Sequence, residues 1–433
     1  MADDKKPKEP QDLPEGWKWV RLGEVIEEVK ERNLSNDQLP LLTSSRKGIY
    51  LQDEYFNRIV ASENLSNYKV IRKGQFTYRS MSDDETFVFN RLENIELGLV
   101  SPAYYIFQVI KGCSGSFLKY FINNSVEVKK QIYKYVEGTT RTALRFNQLK
   151  NFIVPLPPLP EQRKIAQILE TVDNAIEKTE KIIEKYKRIK QGLMQDLLTK
   201  GIDEKGNIRS EKTHKFKDSP LGRIPEEWEV VRLGDISKVK RGASPRPIDD
   251  PIFFTEEGKG RAWVRIEDVV KSNKYLTETR QYLSKLGESK SVKVDVGDFV
   301  MSICATVGKP IIINIPACIH DGFVVFKNLS HKVDRHFLYY LITFKEKEIA
   351  KLGQIGTQGN LNSKIVSDFT IPLPPLSEQK RIAEILTQID QAIEKEEKYK
   401  QKLERLKKGL MEDLLTGKVR VNKLVEGEGY EMA

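Results

Sequence analysis

Two long segments of the chain carry apolar residues at helical spacing, one in residues 155–201 and the other in residues 372–418. A seven-residue apolar repeat is typical of helices that pair in a coiled coil, whose seam consists of two lines of side chains. The repeat is interrupted by two polar residues, Thr179 and Glu396. The predicted seam contains Ile165, Ile168, Val172, Ile182, Tyr186, Ile189, Leu193, Ile382, Ile385, Ile389, Tyr399, Leu403, Leu406 and Leu410.

Proline and glycine delimit both helices. The prolines of the PLPPLP stretch at residues 155–160 exclude helix before the first segment. Ser377 is predicted to cap the second helix, and Pro160, at the same place in the first, suits a helix's first turn. Gly201 and Gly417 lie just past the two ends. Each helix is therefore predicted to have roughly forty residues and a length of about 60 Å.

A helix with an apolar stripe needs a partner to bury it. The natural partner is the other helix of the same chain, which predicts an intramolecular, antiparallel coiled coil. A single-helix spacer and a coil between two chains are the alternatives.

The chain is a tandem duplication. "VPLPPLPEQRKIAQILE" begins at Val154 and "IPLPPLSEQKRIAEILT" begins at Ile371, an offset of 217 residues. An opening motif also repeats, since "LPEGWKWVRLGEV" from Leu13 is echoed by "IPEEWEVVRLGDI" from Ile224. The segments between motif and helix share little sequence. We interpret the helices as a common scaffold and the variable segments as two different recognition surfaces; neutral drift after duplication is the alternative.

Each variable segment has the pattern of a mixed α/β domain. Apolar runs such as residues 98–110, 294–303 and 309–315 are bounded by Gly, Pro, Asn and Asp, as strands are, and residues 116–136 and 334–352 have helical spacing. The predicted fold class is α/β (α+β), with two such domains separated by the two long helices in a pseudo-twofold duplication. The predicted divisions are an N-terminal tail (1–16), a first domain (17–154), a central helix (155–201), a linker (202–227), a second domain (228–371), a C-terminal helix (372–418) and a C-terminal tail (419–433).

Composition narrows the class of protein. The chain of 433 residues is 39% hydrophobic, has no apolar run long enough to span a membrane, and begins with a charged stretch instead of a signal peptide. Its three cysteines have no disulfide or zinc-ligand spacing, which fits a cytoplasmic location. The net charge of +10 favours a polyanionic partner such as nucleic acid, with a lysine-rich surface as the alternative.

No enzyme motif stands out. The chain has no P-loop, no G-x-S-x-G and no H-E-x-x-H, and "PLPPL" lacks the polar and aromatic residues of the loop by which DNA amino-methyltransferases hold their target. Asp250, Glu257 and Lys259 have a spacing by which some nucleases bind a metal ion, but 31% of the residues are charged and such spacings arise by chance. We therefore predict neither a catalytic residue nor a metal site, and keep a nuclease as the rival interpretation.

The order of these motifs resembles that of specificity subunits of type I restriction-modification systems. The resemblance covers nearly the whole chain. Its motifs are the two opening motifs, "GQF" (74–76) and "GDF" (297–299), "GLVSPAYYIF" (98–107), "RGASPRP" (241–247), "GT" at Gly138 and Gly356, and both "PLPPL.EQ" helices. Gln75 and Pro160 depart from the usual acidic and capping residues.

The resemblance implies a non-catalytic, DNA-binding subunit. Each target-recognition domain would read one half of a bipartite site in double-stranded DNA, and the helices would set the spacer and dock two modification (methyltransferase) subunits. Restriction (translocase and nuclease) subunits would complete the complex. S-adenosylmethionine, ATP and Mg²⁺ are expected on those partners and none on this chain. A stand-alone bipartite DNA-binding or regulatory protein is the alternative.

Polar, basic loops are the predicted DNA readers, because base edges are read by hydrogen-bonding side chains. The first domain offers residues 43–48, 77–84 and 138–145; the second offers 240–247, Arg265 and the Gln/Asn-rich residues 353–364. For each arginine, a surface or salt-bridged role is the alternative. The predicted DNA-binding residues are Ser44, Ser45, Arg46, Lys47, Tyr78, Arg79, Thr140, Arg141, Arg145, Arg241, Ser244, Arg246, Arg265, Gln354, Thr357, Gln358, Asn360, Asn362 and Lys364.

Overall fold

A computed structural model gives the fold, and it describes residues 13–56, 64–84, 86–136, 142–354 and 361–427. The chain divides into two compact units. Unit 1 comprises residues 1–180 and 398–433, and unit 2 comprises residues 181–397. Each unit therefore contains one variable segment and parts of both long helices.

The first part of the chain is a series of short strands and helices that ends in a long helix. The strands are β1 (Lys18–Arg21), β2 (Ile26–Val29), β3 (Leu42–Ser45), β4 (Gly48–Leu51), β5 (Lys69–Arg72), β6 (Phe76–Arg79), β7 (Met81–Ser82), β8 (Asn90–Arg91), β9 (Leu97–Val100), β10 (Tyr104–Val109), β11 (Thr142–Ala143) and β12 (Ile153–Leu156). The helices are α1 (Gln52–Phe56), α2 (Gly115–Asn124), α3 (Val126–Val136), α4 (Phe146–Leu149) and the long α5 (Leu159–Leu197). A 3₁₀ turn covers Leu22–Glu24.

The second part repeats this plan with longer sheets. The strands are β13 (Phe216–Ser219), β14 (Gly222–Pro225), β15 (Glu229–Arg232), β16 (Lys238–Arg241), β17 (Phe254–Thr255), β18 (Arg261–Val264), β19 (Tyr275–Leu276), β20 (Gln281–Leu283), β21 (Val292–Val294), β22 (Phe299–Ser302), β23 (Pro310–Ile313), β24 (Ala317–Ile319), β25 (Phe323–Lys327) and β26 (Thr370–Leu373). The helices are α6 (Leu233–Ile236), α7 (Ile266–Lys271), α8 (Lys285–Ser289), α9 (Arg335–Gln354), α10 (Ser363–Asp368), the long α11 (Leu376–Leu414) and α12 (Asn422–Gly427). A 3₁₀ turn covers Pro251–Phe253.

Both variable segments are mixed α/β, as predicted. In unit 1 the main sheet has the order β2-β10-β6-β8 and is antiparallel throughout. In unit 2 two five-stranded sheets have the orders β16-β25-β22-β23-β19 and β17-β20-β18-β24-β21, each with one parallel pair. Val300 and Val325 of the first sheet share an apolar cluster with Val264 and Ile319 of the second.

The opening motifs close each variable segment. β1 pairs antiparallel with β12, so that Trp19 lies opposite Pro155. β15 pairs with β26 in the same way, with Val230 opposite Pro372. The start of each segment is thereby hydrogen-bonded to the strand that leads into the following long helix. This pairing explains why the two motifs repeat together.

The two long helices have the predicted limits, with one exception. α5 and α11 each have 39 residues, and Gly201 and Gly417 follow their ends with φ of +66° and +73°. Glycine suits this left-handed conformation. Ser377 is not the cap that was predicted, because α11 begins one residue earlier, at Leu376.

Antiparallel contacts join the two helices within each unit. In unit 1 the Nζ atoms of Lys400 and Lys407 lie 2.7 and 2.6 Å from the carboxylates of Glu180 and Asp173. In unit 2 the Nζ atom of Lys190 lies 2.6 Å from Asp390. Residue numbers rise along one helix as they fall along the other, which confirms the predicted intramolecular antiparallel pair.

A tyrosine completes the same arrangement in both units. The hydroxyl of Tyr120 donates to Asp173 at 2.7 Å, and the hydroxyl of Tyr340 donates to Asp390 at 2.7 Å. Tyr120 lies in α2 and Tyr340 lies in α9. The variable segments are therefore tied to the helix pair by matching contacts.

The second line of the predicted seam, which contains Ile168, Ile182, Ile189, Ile385, Tyr399 and Leu406, is wrong by one residue. Ile182, Ile189, Tyr399 and Leu406 are exposed to 41%, 38%, 50% and 51%, and Ile168 and Ile385 are only partly buried. The side chains that are buried or half-buried there lie one position later and comprise Leu169, Ile176, Ile183, Lys190, Leu197, Leu386, Ile393, Lys400, Lys407 and Leu414. The side chains of the first line are buried or half-buried; they are Ile165, Val172, Tyr186, Leu193, Ile382, Ile389, Leu403 and Leu410. Thr179 lies in the same line: it is 3% exposed, and its hydroxyl donates to the Ala175 carbonyl at 2.8 Å.

A buried glutamate anchors the start of each long helix. Glu161, 3% exposed, accepts hydrogen bonds from Trp17 Nε1 at 3.3 Å and from the guanidinium of Arg420. In unit 2 Glu378 accepts from Trp228 Nε1 at 3.2 Å and from the guanidinium of Arg209. A buried carboxylate requires such partners, because its desolvation is costly.

The glutamine that follows each glutamate bonds to the backbone of the variable segment. Gln162 accepts from Ser114 N at 2.8 Å and donates to Pro157 O at 2.8 Å. Gln379 accepts from Asp334 N at 2.8 Å and donates to Pro374 O at 2.8 Å. The repeated Glu-Gln pair is therefore a structural joint between variable segment and helix.

The linker (202–227) and the C-terminal tail (419–433) both contribute residues to the folded units. Residues 202–227 include the hairpin β13–β14 as well as Arg209, and Val421 after α11 is part of the unit 1 core. Among the described residues, no helix combines the length and the apolar character that crossing a membrane requires.

Candidate nucleic-acid interface

Asp321 organises the predicted reader segment 240–247 of unit 2. Ser244 Oγ donates to Asp321 Oδ1 at 2.6 Å, and Arg246 Nη2 donates to Oδ2 at 3.0 Å. Arg241 Nε donates to the backbone carbonyl of Asp321 at 2.8 Å. Burial opposes the charged carboxylate, but the bond from Ser244 and the charge of Arg246 outweigh it, so the pKa of Asp321 lies below its usual value.

His320, beside Asp321, is held neutral. Its side chain is 13% exposed, and its Nδ1 accepts a hydrogen bond from the backbone N–H of Gly322 at 2.8 Å. Burial lowers the pKa of His320 to about 4, and the positive charge of Arg265 adds to this effect. Arg265, a predicted reader, therefore lies in the electrostatic neighbourhood of this loop.

The third predicted segment of unit 2 reaches the same loop. The backbone N–H of Leu361 donates to Ile303 O at 3.1 Å, and that of Ile303 donates to Gly322 O at 2.8 Å. Asn362 is the N-cap of α10, since its side chain accepts from Ile365 N at 2.9 Å. In unit 2, segment 240–247 thus contacts Asp321, the charge of Arg265 acts on His320, and Leu361 of segment 353–364 is linked to Gly322 through Ile303.

In unit 1, Asp84 binds a serine and an arginine as Asp321 does in unit 2. Its Oδ1 accepts from Ser82 Oγ at 2.9 Å, and its Oδ2 pairs with Nη2 of Arg46. The bond from Ser82 and the charge of Arg46 lower the pKa of Asp84. Arg46 lies in the first predicted segment and Asp84 in the second, so this ion pair joins the two.

The remaining contacts bring the first two segments of unit 1 together with residues 142–145, the described part of the third. Asn90 Nδ2 donates to Ser44 Oγ and to Ser45 O, each at 2.7 Å. Strand β7 pairs with β11, and the N–H of Leu144 donates to Ser80 O at 2.9 Å. The third segment therefore lies beside the second.

One predicted reader is wrong. Tyr78 is fully buried, and its ring packs near Phe89 and stacks on Tyr105, so it belongs to the core and cannot contact DNA. Its position in β6 explains the error, because β6 is an inner strand of its sheet and Phe76, Thr77 and Tyr78 are all buried. Arg265 and both serines of residues 44–45 are partly buried, as is Ser244. The exposed predicted readers are Arg46, Lys47, Arg79, Arg145, Arg241, Arg246, Asn362 and Lys364.

Some predicted readers lie outside the described residues. These are Thr140, Arg141, Thr357, Gln358 and Asn360, together with the side chain of Gln354. Their role in DNA binding stays a prediction, as does that of the exposed residues.

The three residues with nuclease-like spacing are engaged separately. Asp250 accepts from Ile252 N at 3.0 Å, Glu257 accepts from the Tyr282 hydroxyl at 3.2 Å, and Lys259 pairs with Glu256 at 2.7 Å. Across the described ranges, no group of three or more His, Cys, Asp or Glu side chains is placed to hold a metal ion.

The duplicated plan matches a known protein family. The family described as "Type I restriction modification DNA specificity domain" matches two stretches of the sequence, residues 14–188 and 225–405. This chain belongs to that family. Each match spans an opening motif, a variable segment and most of a long helix, which is the repeat seen in the sequence.

The sequence of this chain aligns with that of a relative over nearly the full length of both. The chain is 31% identical over 440 aligned residues to the type I restriction enzyme MjaVIII specificity subunit of Methanocaldococcus jannaschii, which covers 95% of both proteins. Two solved structures share the fold. One is the S subunit of a type I restriction-modification system from M. genitalium (15% identity, 94% of this chain, 98% of the other, TM-score 0.58). The other comes from a type I R-M assembly (23% identity, 95% and 100%, TM-score 0.56).

The sequence did not reveal Asp84 and Asp321. The predicted readers are polar and basic side chains of loops, and the bond between Arg246 and Asp321 joins residues 75 positions apart. One signal was available: Asp84 and Ser82 both lie in the predicted segment 77–84.

Proposed function

We propose that each variable segment reads one half of a bipartite DNA site. The clustering of the described parts of the predicted reader segments within each unit carries this proposal. Base edges are read by side chains gathered at one place, and phosphate contacts supply affinity. The net charge of +10 supports a polyanionic partner.

The helix pair sets the distance between the half-sites in this proposal. Helices of 39 residues, at 1.5 Å per residue, extend about 58 Å, which exceeds the roughly 34 Å of one DNA turn. The matched ion pairs along the helices support a fixed length, because they hold one register.

The same helices dock two modification subunits in this proposal. Ile182 and Ile189 of unit 2, and Tyr399 and Leu406 of unit 1, are large apolar side chains that are 38–51% exposed. We call them the docking residues. Ile182 is equivalent to Tyr399, and Ile189 to Leu406, at the 217-residue offset of the duplication. Each unit therefore presents one equivalent pair of apolar side chains. Two equivalent apolar surfaces suit two copies of one partner.

Catalysis is assigned to the partners. Methylation of adenine with S-adenosylmethionine belongs to the modification subunits, and ATP-driven cleavage with Mg²⁺ belongs to the restriction subunits. The chain itself supplies recognition and assembly, in the cytoplasm.

A binding assay tests the proposal. The purified chain is combined with a library of duplex DNA in the presence and absence of the modification subunits, and bound sequences are recovered. The expected result is one bipartite motif that requires the modification subunits. A motif bound equally well by the chain alone at physiological salt would favour a stand-alone regulator. Plasmid cleavage by the chain with Mg²⁺ would favour a nuclease.

A further inference from the structure

Two clusters of the interface share one bonding pattern. In unit 1 Ser82 donates to Oδ1 of Asp84, and Arg46 bonds to Oδ2 through Nη2. In unit 2 Ser244 donates to Oδ1 of Asp321, and Arg246 bonds to Oδ2 through Nη2.

The pattern is not inherited in sequence register from the duplication. In unit 1 the serine lies two residues before the aspartate, whereas in unit 2 it lies two residues before the arginine. The same side-chain cluster is thus built twice from different positions in the chain. Each cluster contains residues of the predicted reader segments of its unit, which indicates a shared task.

Stability is a poor explanation for these pairs. The side chains of Arg46 and Arg246 are 70% and 68% exposed, and those of Asp84 and Asp321 are 48% and 37% exposed. Ion pairs exposed to this degree contribute little to folding. Fixing the aspartate from both sides does restrict the arginine, so that less side-chain freedom is lost when a ligand binds.

The chemistry of the cluster fits a base pair better than a phosphate. A carboxylate repels phosphate, so an aspartate beside a basic reader weakens backbone contacts. An arginine held through one N–H keeps further donors for the O6 and N7 atoms of guanine, and the free lone pairs of the aspartate can accept from the N4 amine of cytosine.

We propose that Arg46 and Arg246 each read the guanine of one G·C base pair, one in each half-site, and that Asp84 and Asp321 are their positioning residues. The proposal rests on the proposed function, because it assigns residues to a bipartite reading that the variable segments perform.

Mapping methylated adenines tests the assignment. The full chain is expressed with its modification subunits, as wild type and as Arg46→Lys, Arg246→Lys, Asp84→Asn and Asp321→Asn. Lysine keeps the charge and loses the fork of donors. Preference for G·C is expected to fall roughly tenfold to a hundredfold at one position. Arg246→Lys and Asp321→Asn should relax the same position, and Arg46→Lys and Asp84→Asn should relax one in the other half-site.

The control is an exposed ion pair outside the five predicted reader segments. Arg280 is 62% exposed and its Nη1 lies 2.9 Å from Glu267, with no serine on the carboxylate. Arg280→Lys should leave the motif unchanged, and all variants should melt as wild type does. A wild-type motif that every variant retains would overturn the assignment, as would relaxation at different positions within a pair. Absence of any bipartite motif from the wild-type complex would instead overturn the proposed function.

Discussion

Arg420 forms a bidentate pair with Glu161, with Nε–Oε1 and Nη2–Oε2 distances of 2.7 and 2.9 Å, although 259 residues separate them in sequence. Glu161 lies in the first turn of α5, and Arg420 follows the end of α11. The pair therefore holds the C-terminal region of the chain against the start of the first long helix within unit 1.

Replacing Arg420 by alanine is expected to destabilise unit 1 by about 2–4 kcal/mol. Glu161 would be left as a buried carboxylate without its cationic partner, and such a charge is costly. Chemical unfolding, followed separately for the two units, measures the change. The control is Lys418→Ala, because Lys418 is 76% exposed in its pair with Asp413; it should alter the free energy of unfolding by less than about 0.5 kcal/mol. Equal midpoints for Arg420→Ala and wild type would contradict the role of the pair.

Two adjacent isoleucines test the position of the helix seam. Ile183 is 7% exposed and Ile182 is 41% exposed. Ile183→Ala is expected to cost about 2–4 kcal/mol in the stability of unit 2, because it removes a buried side chain. Ile182→Ala should cost less than about 1 kcal/mol. Thermal or denaturant unfolding of both variants measures the two losses of stability. A larger loss for Ile182→Ala than for Ile183→Ala would support the seam predicted from sequence.

The helices were predictable because their signals are local. Spacing, prolines and flanking glycines give the limits of α5 and α11 within a few residues. The second line was misplaced because Ile182 and Ile189 are more apolar than Lys190, which occupies that line in the structure. A lysine is tolerated there because Asp390 of the facing helix lies 2.6 Å from its Nζ atom. That partner comes from a distant part of the sequence, so hydrophobicity alone could not identify it.

His320 makes the stability of unit 2 depend on pH. Its pKa is about 4 in the folded protein and about 6.5 in an unfolded chain, so the unfolded state binds more protons between these values. Stability is therefore lost as the pH falls from about 6.5 to 4. Asparagine can replace the acceptor Nδ1 without titrating. Between pH 7 and pH 5 the wild type should lose about 1–2 kcal/mol more than His320→Asn, measured by denaturant unfolding. Identical losses would show that His320 is not held neutral.

The docking residues give a prediction about assembly. Ile189→Glu combined with Leu406→Glu should abolish co-purification of the modification subunits, because charge would replace apolar contact at both equivalent surfaces. Unfolding midpoints should change little, since both side chains are exposed. As a control, glutamate at Leu424, which is 53% exposed outside the long helices, should leave co-purification intact. Full co-purification of the double variant would place the partners elsewhere.

The sequence allowed us to predict the types of residue in the candidate interface, but not the contacts between them. Arg46, Ser244 and Arg246 follow from polar, basic loop composition. Tyr78 was misassigned because the sequence does not show that residues 76–78 of β6 are buried on both faces of the strand. Asp84 and Asp321 were missed because their importance arises from contacts that folding creates between segments, such as Arg46 with Asp84.

Long-read mapping of methylated adenines tests the central claim most directly, in hosts that carry the gene, lack it, or carry a lengthened helix pair. Because Glu180 faces Lys400 and Asp173 faces Lys407, seven residues inserted after Glu177 and seven after Leu403 would extend both helices in register. The extension is about 10.5 Å, or about 3 base pairs. The account predicts a bipartite motif that disappears with the gene and whose unspecified gap grows by about 3 base pairs in the lengthened variant. A motif that persists without the gene, or an unchanged gap in an active variant, would contradict it.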